Sequence, residues 1–170
     1  MIKQFENFAP ISLHKRVKEQ LLSPMLDWHF PGYAGYEYNL TNACFAKQPF
    51  NASTQVEDWA NVNSLIYVLD WWIESNKDWF KFSHLDRCLI NFYTAGQNTG
   101  WHIDRPEHNC FSLLYYVNDA DGGTEFKDKK ILHCENNGVF FNSNLQHSPI
   151  TSTVPRRITV NWLLFGTVTV

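Results

Sequence analysis

The chain has 170 residues, a formal net charge of −3 and an apolar fraction of 44%. This length and composition suit one globular domain and exclude an intrinsically disordered chain, because enough apolar surface is available to build a core. The charge shows no basic excess of the kind that binds phosphates, so it argues against a nucleic-acid partner.

The cysteines and the N-terminus bear on the compartment. The four cysteines are Cys44, Cys88, Cys110 and Cys134. No two of them form a CxxC unit, so a zinc ribbon or a thioredoxin-like motif is not expected. The first residues lack the apolar stretch of a signal peptide, and no segment approaches the ~20 apolar residues of a membrane span. We therefore expect free thiols, a cytoplasmic location and no membrane association.

Helical patterns dominate residues 1–85. The apolar residues of a first helix recur at four-residue steps: Leu13, Val17, Leu21 and Met25. They predict an amphipathic helix that ends at Pro31-Gly32. The T-x-x-E pattern from Thr54 to Glu57 is typical of a helical capping box, and the apolar residues after it predict a second helix over 55–75.

Residues 86–170 show the pattern of short strands separated by Gly, Asn and Asp turns. The predicted strands cover 87–93, 111–117, 124–126, 130–134, 139–141 and 157–165. Many short strands of this kind predict a sandwich or jelly roll. The expected fold class is therefore α+β, mainly β, with the N-terminal helices flanking the strands in one domain over 1–170.

The triplet His102-Ile103-Asp104 is the candidate metal site. Residues two apart on an extended strand point to the same side, so His102 and Asp104 can bind one ion, although the triplet alone is also compatible with an exposed turn. Two histidines and one carboxylate on one face of an octahedron leave three open positions, which suits iron(II). His147, at the end of a strand-like segment, is the candidate third ligand.

Arg157 and Thr159 form a candidate carboxylate cradle. They are two residues apart on a predicted strand, so their side chains face the same way. A guanidinium matches a carboxylate through two parallel charged hydrogen bonds, and a hydroxyl can add a third. This pair suits the far carboxylate of a dicarboxylic keto acid whose other end chelates the metal.

Other residues compete for these roles. His133 is an alternative to His147, but the tenth residue after it is Ser143, which cannot clamp a carboxylate as Arg157 can. His108 is expected on a loop. Arg156 is expected to point outward, because neighbouring residues on a strand face opposite ways.

The segment from Arg87 to Phe165 resembles the iron(II)- and 2-oxoglutarate-dependent dioxygenases, and most closely their prolyl-hydroxylase-like branch. In that branch a strand ending in a tyrosine, here Tyr93, and a glycine-containing turn precede H-x-D. Another strand, here 112–118, then leads to a Gly-Gly turn, here Gly122-Gly123. The resemblance implies a double-stranded β-helix, or jelly roll, in residues 86–170, with residues 1–85 as helical support and substrate region.

The resemblance also implies roles for individual residues. The implied iron ligands are His102, Asp104 and His147. Arg157 would bind the distal carboxylate of 2-oxoglutarate with Thr159 as its hydroxyl partner, and Tyr93 would reach the same co-substrate. Asn161 would share the inward face of the strand and line the pocket.

The implied reaction hydroxylates a C–H bond with Fe(II), 2-oxoglutarate and O₂, and it releases succinate and CO₂, with ascorbate in support. A peptide or protein residue is the first expected substrate and a small molecule the second; no pattern specifies the oligomeric state. Two other classes remain open: a non-redox, cupin-like ligand-binding protein with a metal, and an inactive relative that serves as an interaction domain. The complete ligand set argues against inactivity, and metal-dependent turnover of 2-oxoglutarate separates the three.

Overall fold

The computed structural model describes residues 1–28 and 45–169. Its elements in chain order are β1 (Ile2–Phe5), α1 (Ile11–Leu21), β2 (Phe45–Asn51), β3 (Val56–Glu57), α2 (Ser64–Asn76), β4 (Phe80–Tyr93), β5 (Cys110–Tyr116), β6 (Gly123–Phe126), β7 (Lys129–Leu132), β8 (Gly138–Asn142), β9 (His147–Ile150) and β10 (Arg157–Val168). A seven-stranded sheet has the order β1-β8-β5-β10-β4-β2-β3, and a three-stranded sheet has the order β7-β6-β9. The predicted α+β, mainly β class is confirmed.

Strand β10 separates an apolar side of the large sheet from a polar side. Its apolar residues are buried in the main core: Ile158, Val160, Trp162 and Leu164. The intervening residues Arg157, Thr159 and Asn161 are also buried, and they face the opposite way because side chains alternate along a strand. Val17 of α1 and Trp72 of α2 join the apolar core, so the helices cover that side of the sheet.

The other side of the large sheet packs against the small sheet. Leu114 and Tyr116 of β5 form a second apolar cluster with Phe126 of β6 and Ile131 of β7. The polar face of β10 therefore opens onto the space between the two sheets. The predicted cradle residues Arg157 and Thr159 lie on this face.

Strand register brings the predicted co-substrate residues together. Arg157 lies opposite Tyr93 of β4, and Thr159 lies opposite Tyr116 of β5. Both pairings are antiparallel and belong to the large sheet. The start of β10 is thus flanked by a tyrosine from each neighbouring strand.

Both predicted helices exist, but their bounds differ from those expected. Helix α1 ends at Leu21, and Met25 lies beyond it with 84% of its surface exposed. Pro31-Gly32, the expected helix end, lies outside the described residues. So do Cys44 and His29, a histidine that we expect on the surface or on a helix.

Helix α2 begins at Ser64, so the expectation that it starts near residue 55 is wrong. Amides of Ser53 and Thr54 donate to the side-chain oxygen of Asn51 instead, which closes a turn after β2. The next residues then pair with β2 as strand β3. The T-x-x-E pattern therefore lies in a strand connection and caps no helix.

Residues 1–85 are less helical than their patterns suggested. Strand β1 pairs with β8 and strand β2 pairs with β4, so the N-terminal part contributes to the large sheet. Strand β4 begins at Phe80, ahead of the expected start at residue 87. Long-range pairing stabilises these strands, and such pairing leaves little local signal.

The segment around His147 also differs from its expected form. His147 begins strand β9, where we expected the end of a strand. Pro149 lies within β9, which is an edge strand of the small sheet, and such positions tolerate a residue that donates no backbone hydrogen bond. Among the helices of residues 1–28 and 45–169, none is long and apolar enough to cross a lipid bilayer.

The aromatic core beneath the helices predicts one strong effect on stability. Trp72 is fully buried and packs against the rings of Phe5, Phe8 and Phe140. We expect Trp72→Ala to lower the free energy of unfolding by about 3–5 kcal/mol, because it opens a large cavity. Urea denaturation measures the loss. The control is Trp71→Ala, since Trp71 is 37% exposed on the same helix and should change stability far less; equal losses would contradict this account.

Candidate metal centre and co-substrate cradle

Three predicted metal ligands converge at one end of the space between the sheets. Candidate ligand atoms of His102, Asp104 and His147 all lie within 4.8 Å of one another. His102 and His147 exchange two backbone hydrogen bonds of 2.9 Å, and the Asp104 amide donates to the carbonyl oxygen of Ser143 at 3.0 Å. The triplet thus forms an isolated bridge and not the regular strand we expected, but it still directs both side chains to one point.

In both histidines one ring nitrogen is hydrogen-bonded to the backbone, and the other can bind a metal. Nδ1 of His102 lies 2.9 Å from the Gly100 carbonyl oxygen, and Nδ1 of His147 lies 2.9 Å from that of Leu145. A carbonyl oxygen can only accept, so each neutral ring carries its proton on Nδ1 and presents a lone pair at Nε2. Backbone contacts of this kind orient histidines for a metal.

Asp104 is surrounded by hydrogen-bond donors. The Ser112 hydroxyl and the Asn161 side-chain amide donate to Oδ2 at 2.5 and 3.1 Å, while Arg87 lies 3.5 Å from Oδ1. Burial by itself raises the pKa of the Asp104 carboxyl, but the charge that His147 carries when protonated and the polar contacts lower it by more. The carboxylate is therefore charged at neutral pH.

His147 is poised in its neutral form. Burial lowers the pKa of His147, the nearby His102 lowers it further, and Asp104 opposes both effects only in part. Neutral imidazole and charged carboxylate are the forms that bind metals. Two imidazole nitrogens and one carboxylate oxygen are also the ligand types of open iron(II) sites, so these residues fit that ion.

The cradle lies at the start of β10. Arg157 is 1% exposed and its guanidinium lies 5.0 Å from the centre of the Tyr93 ring, whereas Arg156 is exposed. The expected inward and outward directions of the two arginines are thus confirmed. Thr159 is buried on the same face.

Three of the five N–H groups of Arg157 are held by the protein. They donate to the carbonyl oxygens of Ile150 at 3.2 Å and Gly123 at 2.6 Å and to Nδ1 of His133 at 3.3 Å. A guanidinium has five such donors, so two remain for a carboxylate. Its plane is set by these fixed contacts.

Gly123 does more than terminate a turn. It has a φ of +152°, and a Cβ atom there would lie 2.1 Å from the backbone oxygen of Ile131. Only glycine permits strand β6 to approach β7 this closely while its carbonyl oxygen accepts from Arg157. The Gly122-Gly123 pair, which we took as a plain turn, therefore supports the cradle.

Several site residues escaped sequence analysis. Tyr116 donates to the Thr124 hydroxyl at 2.9 Å, and burial raises its pKa to about 12 although Arg157 opposes this. Ser112 and Arg87 were likewise not assigned a role. Side chains alternate along β5, so the sequence could have predicted that Ser112 and Tyr116 share a face with Leu114. No local pattern indicated a role for Arg87.

Comparison with known proteins gives matches of structure without matches of sequence. No family model matches the chain, and no curated protein matches it. A prolyl hydroxylase from Trichoplax adhaerens, in complex with a hypoxia inducible factor peptide fragment, is 16% identical with a TM-score of 0.68 over 96% of this chain and 83% of that one. An oxidoreductase of the 2OG-Fe(II) oxygenase family from Burkholderia pseudomallei is 12% identical with a TM-score of 0.71 over 96% and 84%.

A third solved structure extends the comparison. The viral collagen prolyl hydroxylase of Paramecium Bursaria Chlorella virus-1 is 12% identical with a TM-score of 0.62 over 98% of this chain and 96% of that one. The chain has the fold of the prolyl hydroxylases and 2OG-Fe(II) oxygenases. The predicted double-stranded β-helix, or jelly roll, is confirmed, and the likeness extends well beyond residues 87–165.

The metal centre predicts a cation-dependent gain in stability. We expect Mn²⁺, or Fe²⁺ without O₂, to raise the melting temperature, since a ligand at 100 times its Kd adds about 2.7 kcal/mol. Asp104→Ala should abolish the gain because it removes the charged ligand. His108→Ala is the control, since His108 is an exposed histidine four residues after Asp104. An undiminished gain in Asp104→Ala, measured by differential scanning fluorimetry, would exclude this metal assignment.

The buried His133 predicts a loss of stability in acid. Burial, and then the charge of Arg157, lower the pKa of His133 from 6.5 to about 4. As pH falls from 6.5 toward 4, the unfolded chain therefore binds a proton that the native protein does not, and the stability present above this window is lost.

Comparison of the metal-free wild type with His133→Asn tests this. We expect the free energy of unfolding of the wild type to fall more steeply with decreasing pH, by up to about 1.4 kcal/mol per pH unit. Urea denaturation at several pH values gives both curves. Parallel curves would mean that His133 titrates normally in the folded state.

Proposed function

We propose that the chain is an iron(II)- and 2-oxoglutarate-dependent dioxygenase that hydroxylates a C–H bond of a second molecule. The observation that carries the proposal is the joint presence of a His-Asp-His cluster and an inward arginine on connected elements. Asn161 contacts Asp104, and Arg157 lies on the same face of β10. Four residues of strand span about 13 Å, which the arginine side chain and a five-carbon keto acid can bridge together.

In this proposal each residue has a defined task. His102, Asp104 and His147 hold the metal, while Arg157 binds the distal carboxylate of 2-oxoglutarate with Thr159 beside it. The iron would supply the open coordination positions and the oxidising chemistry with O₂. The surrounding protein orients the co-substrate and keeps water from the cradle, since the residues that line it are buried.

The substrate proposed first is a peptide or protein residue. The Trichoplax adhaerens enzyme, which shares the fold, was solved with a peptide fragment. A small molecule is the second candidate, because the fold also includes the alpha-ketoglutarate dependent epimerase SnoN from nogalamycin biosynthesis, at 10% identity and a TM-score of 0.66 over 96% of this chain and 77% of that one. A non-redox, cupin-like ligand binder is not favoured, since these solved neighbours are oxygenases or 2-oxoglutarate-dependent enzymes.

The proposed unit is the whole of residues 1–170, with the strands after residue 86 carrying the site. We propose a cytoplasmic location, for which the free thiols of Cys88 and Cys110 offer support. Tyr93 is the proposed third contact to the co-substrate, since its ring faces the Arg157 guanidinium. Ascorbate would support turnover by keeping the iron reduced.

Succinate formation tests the proposed reaction. With 2-oxoglutarate, iron(II), ascorbate and air, we expect slow succinate release even without a second substrate, and we expect Asp104→Ala to abolish it. Arg157→Ala should raise the KM for 2-oxoglutarate roughly 10- to 100-fold, because a charged hydrogen-bonded contact is worth about 1.5–3 kcal/mol. The readouts are succinate by chromatography and initial rates.

The matched control is Arg156→Ala, which removes the exposed neighbour and should leave the KM unchanged. Turnover that persists in Asp104→Ala would overturn the metal assignment. If the wild type neither releases succinate nor binds iron and 2-oxoglutarate, the dioxygenase proposal fails and the ligand-binding alternative becomes the better account.

A further inference from the structure

His133 is a buried histidine that the proposed reaction does not use. It follows strand β7, and 7% of its surface is exposed. Its Nε2 lies 2.7 Å from the carbonyl oxygen of Asn118, which can only accept, so the proton of the neutral ring is on Nε2. The lone pair on Nδ1 then accepts the hydrogen bond from Nε of Arg157.

Asn118 also holds the backbone on both sides of Arg157. Its Nδ2 donates to the carbonyl oxygen of Arg156 at 3.0 Å, and its Oδ1 accepts from the amide of Ile158 at 2.9 Å. Arg157 is therefore held at the main chain by the Asn118 side chain. It is held at the guanidinium by His133, which is itself bonded to Asn118.

The remaining contacts of Arg157 come from paired strands. Gly123 of β6 and Ile150 of β9 lie opposite each other in the small sheet, and their carbonyl oxygens accept from the two terminal nitrogens of Arg157. His133 adds a contact on Nε, and its own amide donates to Gly122 at 3.0 Å. These three contacts leave one N–H on each terminal nitrogen of Arg157 for a ligand, and they fix the plane in which both lie.

We propose that His133 is a positioning residue, whose Nδ1 orients the Arg157 guanidinium toward the distal carboxylate of 2-oxoglutarate. The inference rests on the proposed function, because it concerns how the co-substrate cradle is built. His133 acts through Arg157, and its contribution is to geometry. Bidentate binding of a carboxylate depends on the plane of the guanidinium, so a freely rotating Arg157 would bind less tightly.

The surroundings of His133 keep it an acceptor at neutral pH. The cation that faces it is Arg157 of β10, the acidic groups nearby are Asp121 and Glu135 in the flanking turns, and the Tyr116 ring of β5 lies with its centre 4.5 Å away. Burial and Arg157 lower the pKa of His133 to about 4, against the smaller opposing effects of the hydrogen bond to Asn118 and of the two acids. A protonated ring would have no lone pair at Nδ1 and would repel the arginine.

The test compares two keto acids that differ only at the far end. 2-Oxoglutarate has a distal carboxylate, whereas 2-oxobutyrate lacks it, and both can chelate the metal. Their affinities are measured by calorimetry on the Mn²⁺-loaded full chain, which binds without turnover. We expect His133→Leu to weaken 2-oxoglutarate binding about 5- to 20-fold, in line with the loss of one buried hydrogen bond, and to leave 2-oxobutyrate unchanged.

Two further variants separate positioning from general destabilisation. His133→Asn places an acceptor oxygen near the position of Nδ1 and should restore most of the preference for 2-oxoglutarate. His14→Leu removes another buried histidine, which contacts Tyr115 and Glu135, and should leave the preference unchanged. Between neutral pH and pH 5, the ratio of the wild-type affinities for 2-oxoglutarate and 2-oxobutyrate should stay constant. Nitrogen NMR should show the His133 ring with its proton on Nε2.

The outcomes distinguish this inference from the proposed function. Equal loss for both keto acids in His133→Leu, or no loss for either, would reject the positioning role while the dioxygenase proposal stands. A ring proton on Nδ1 would reject it as well. If the wild type binds neither keto acid, the proposed function fails, and the role of His133 toward 2-oxoglutarate fails with it.

Discussion

Strand β10 is buried on both faces, and each face requires something different from the rest of the chain. The apolar face, with Ile158, Val160 and Trp162, needs the helices and aromatic side chains that cover it. The polar face, with Arg157 and Asn161, needs hydrogen-bond partners, because a buried polar group without them costs free energy. The space between the two sheets is where these partners gather, and so it is where the candidate site lies.

The site is built from groups that satisfy one another. Asp104 accepts from Ser112 and Asn161, and Arg157 donates to backbone oxygens and to His133. Removing one partner would leave a buried charge unpaired, so each group is held in a single arrangement. In the proposed function the same rigidity would serve catalysis, since metal ligands and a carboxylate clamp that are already in place need little reorganisation when a co-substrate binds.

Parts of this arrangement follow from local rules that can be applied to the bare sequence. Alternation along a strand separated Arg157 from Arg156 correctly, because side-chain direction depends only on position within the strand. Helix α2 was found but placed too early, since the Asn51 side chain closes a turn where a capping box was expected. Strands β1 and β2 were missed because their stability comes from pairing with strands far along the chain.

The amino-acid sequence by itself determined the mainly β class, the candidate ligands His102, Asp104 and His147, and the inward direction of Arg157. These depend on residue type and spacing, which are local properties. Only the tertiary structure decided which ring nitrogen each histidine presents, that Tyr116 and His133 border the cradle, and that Gly123 must be glycine. These depend on backbone oxygens and side chains brought together from distant segments, and no local pattern encodes such neighbours.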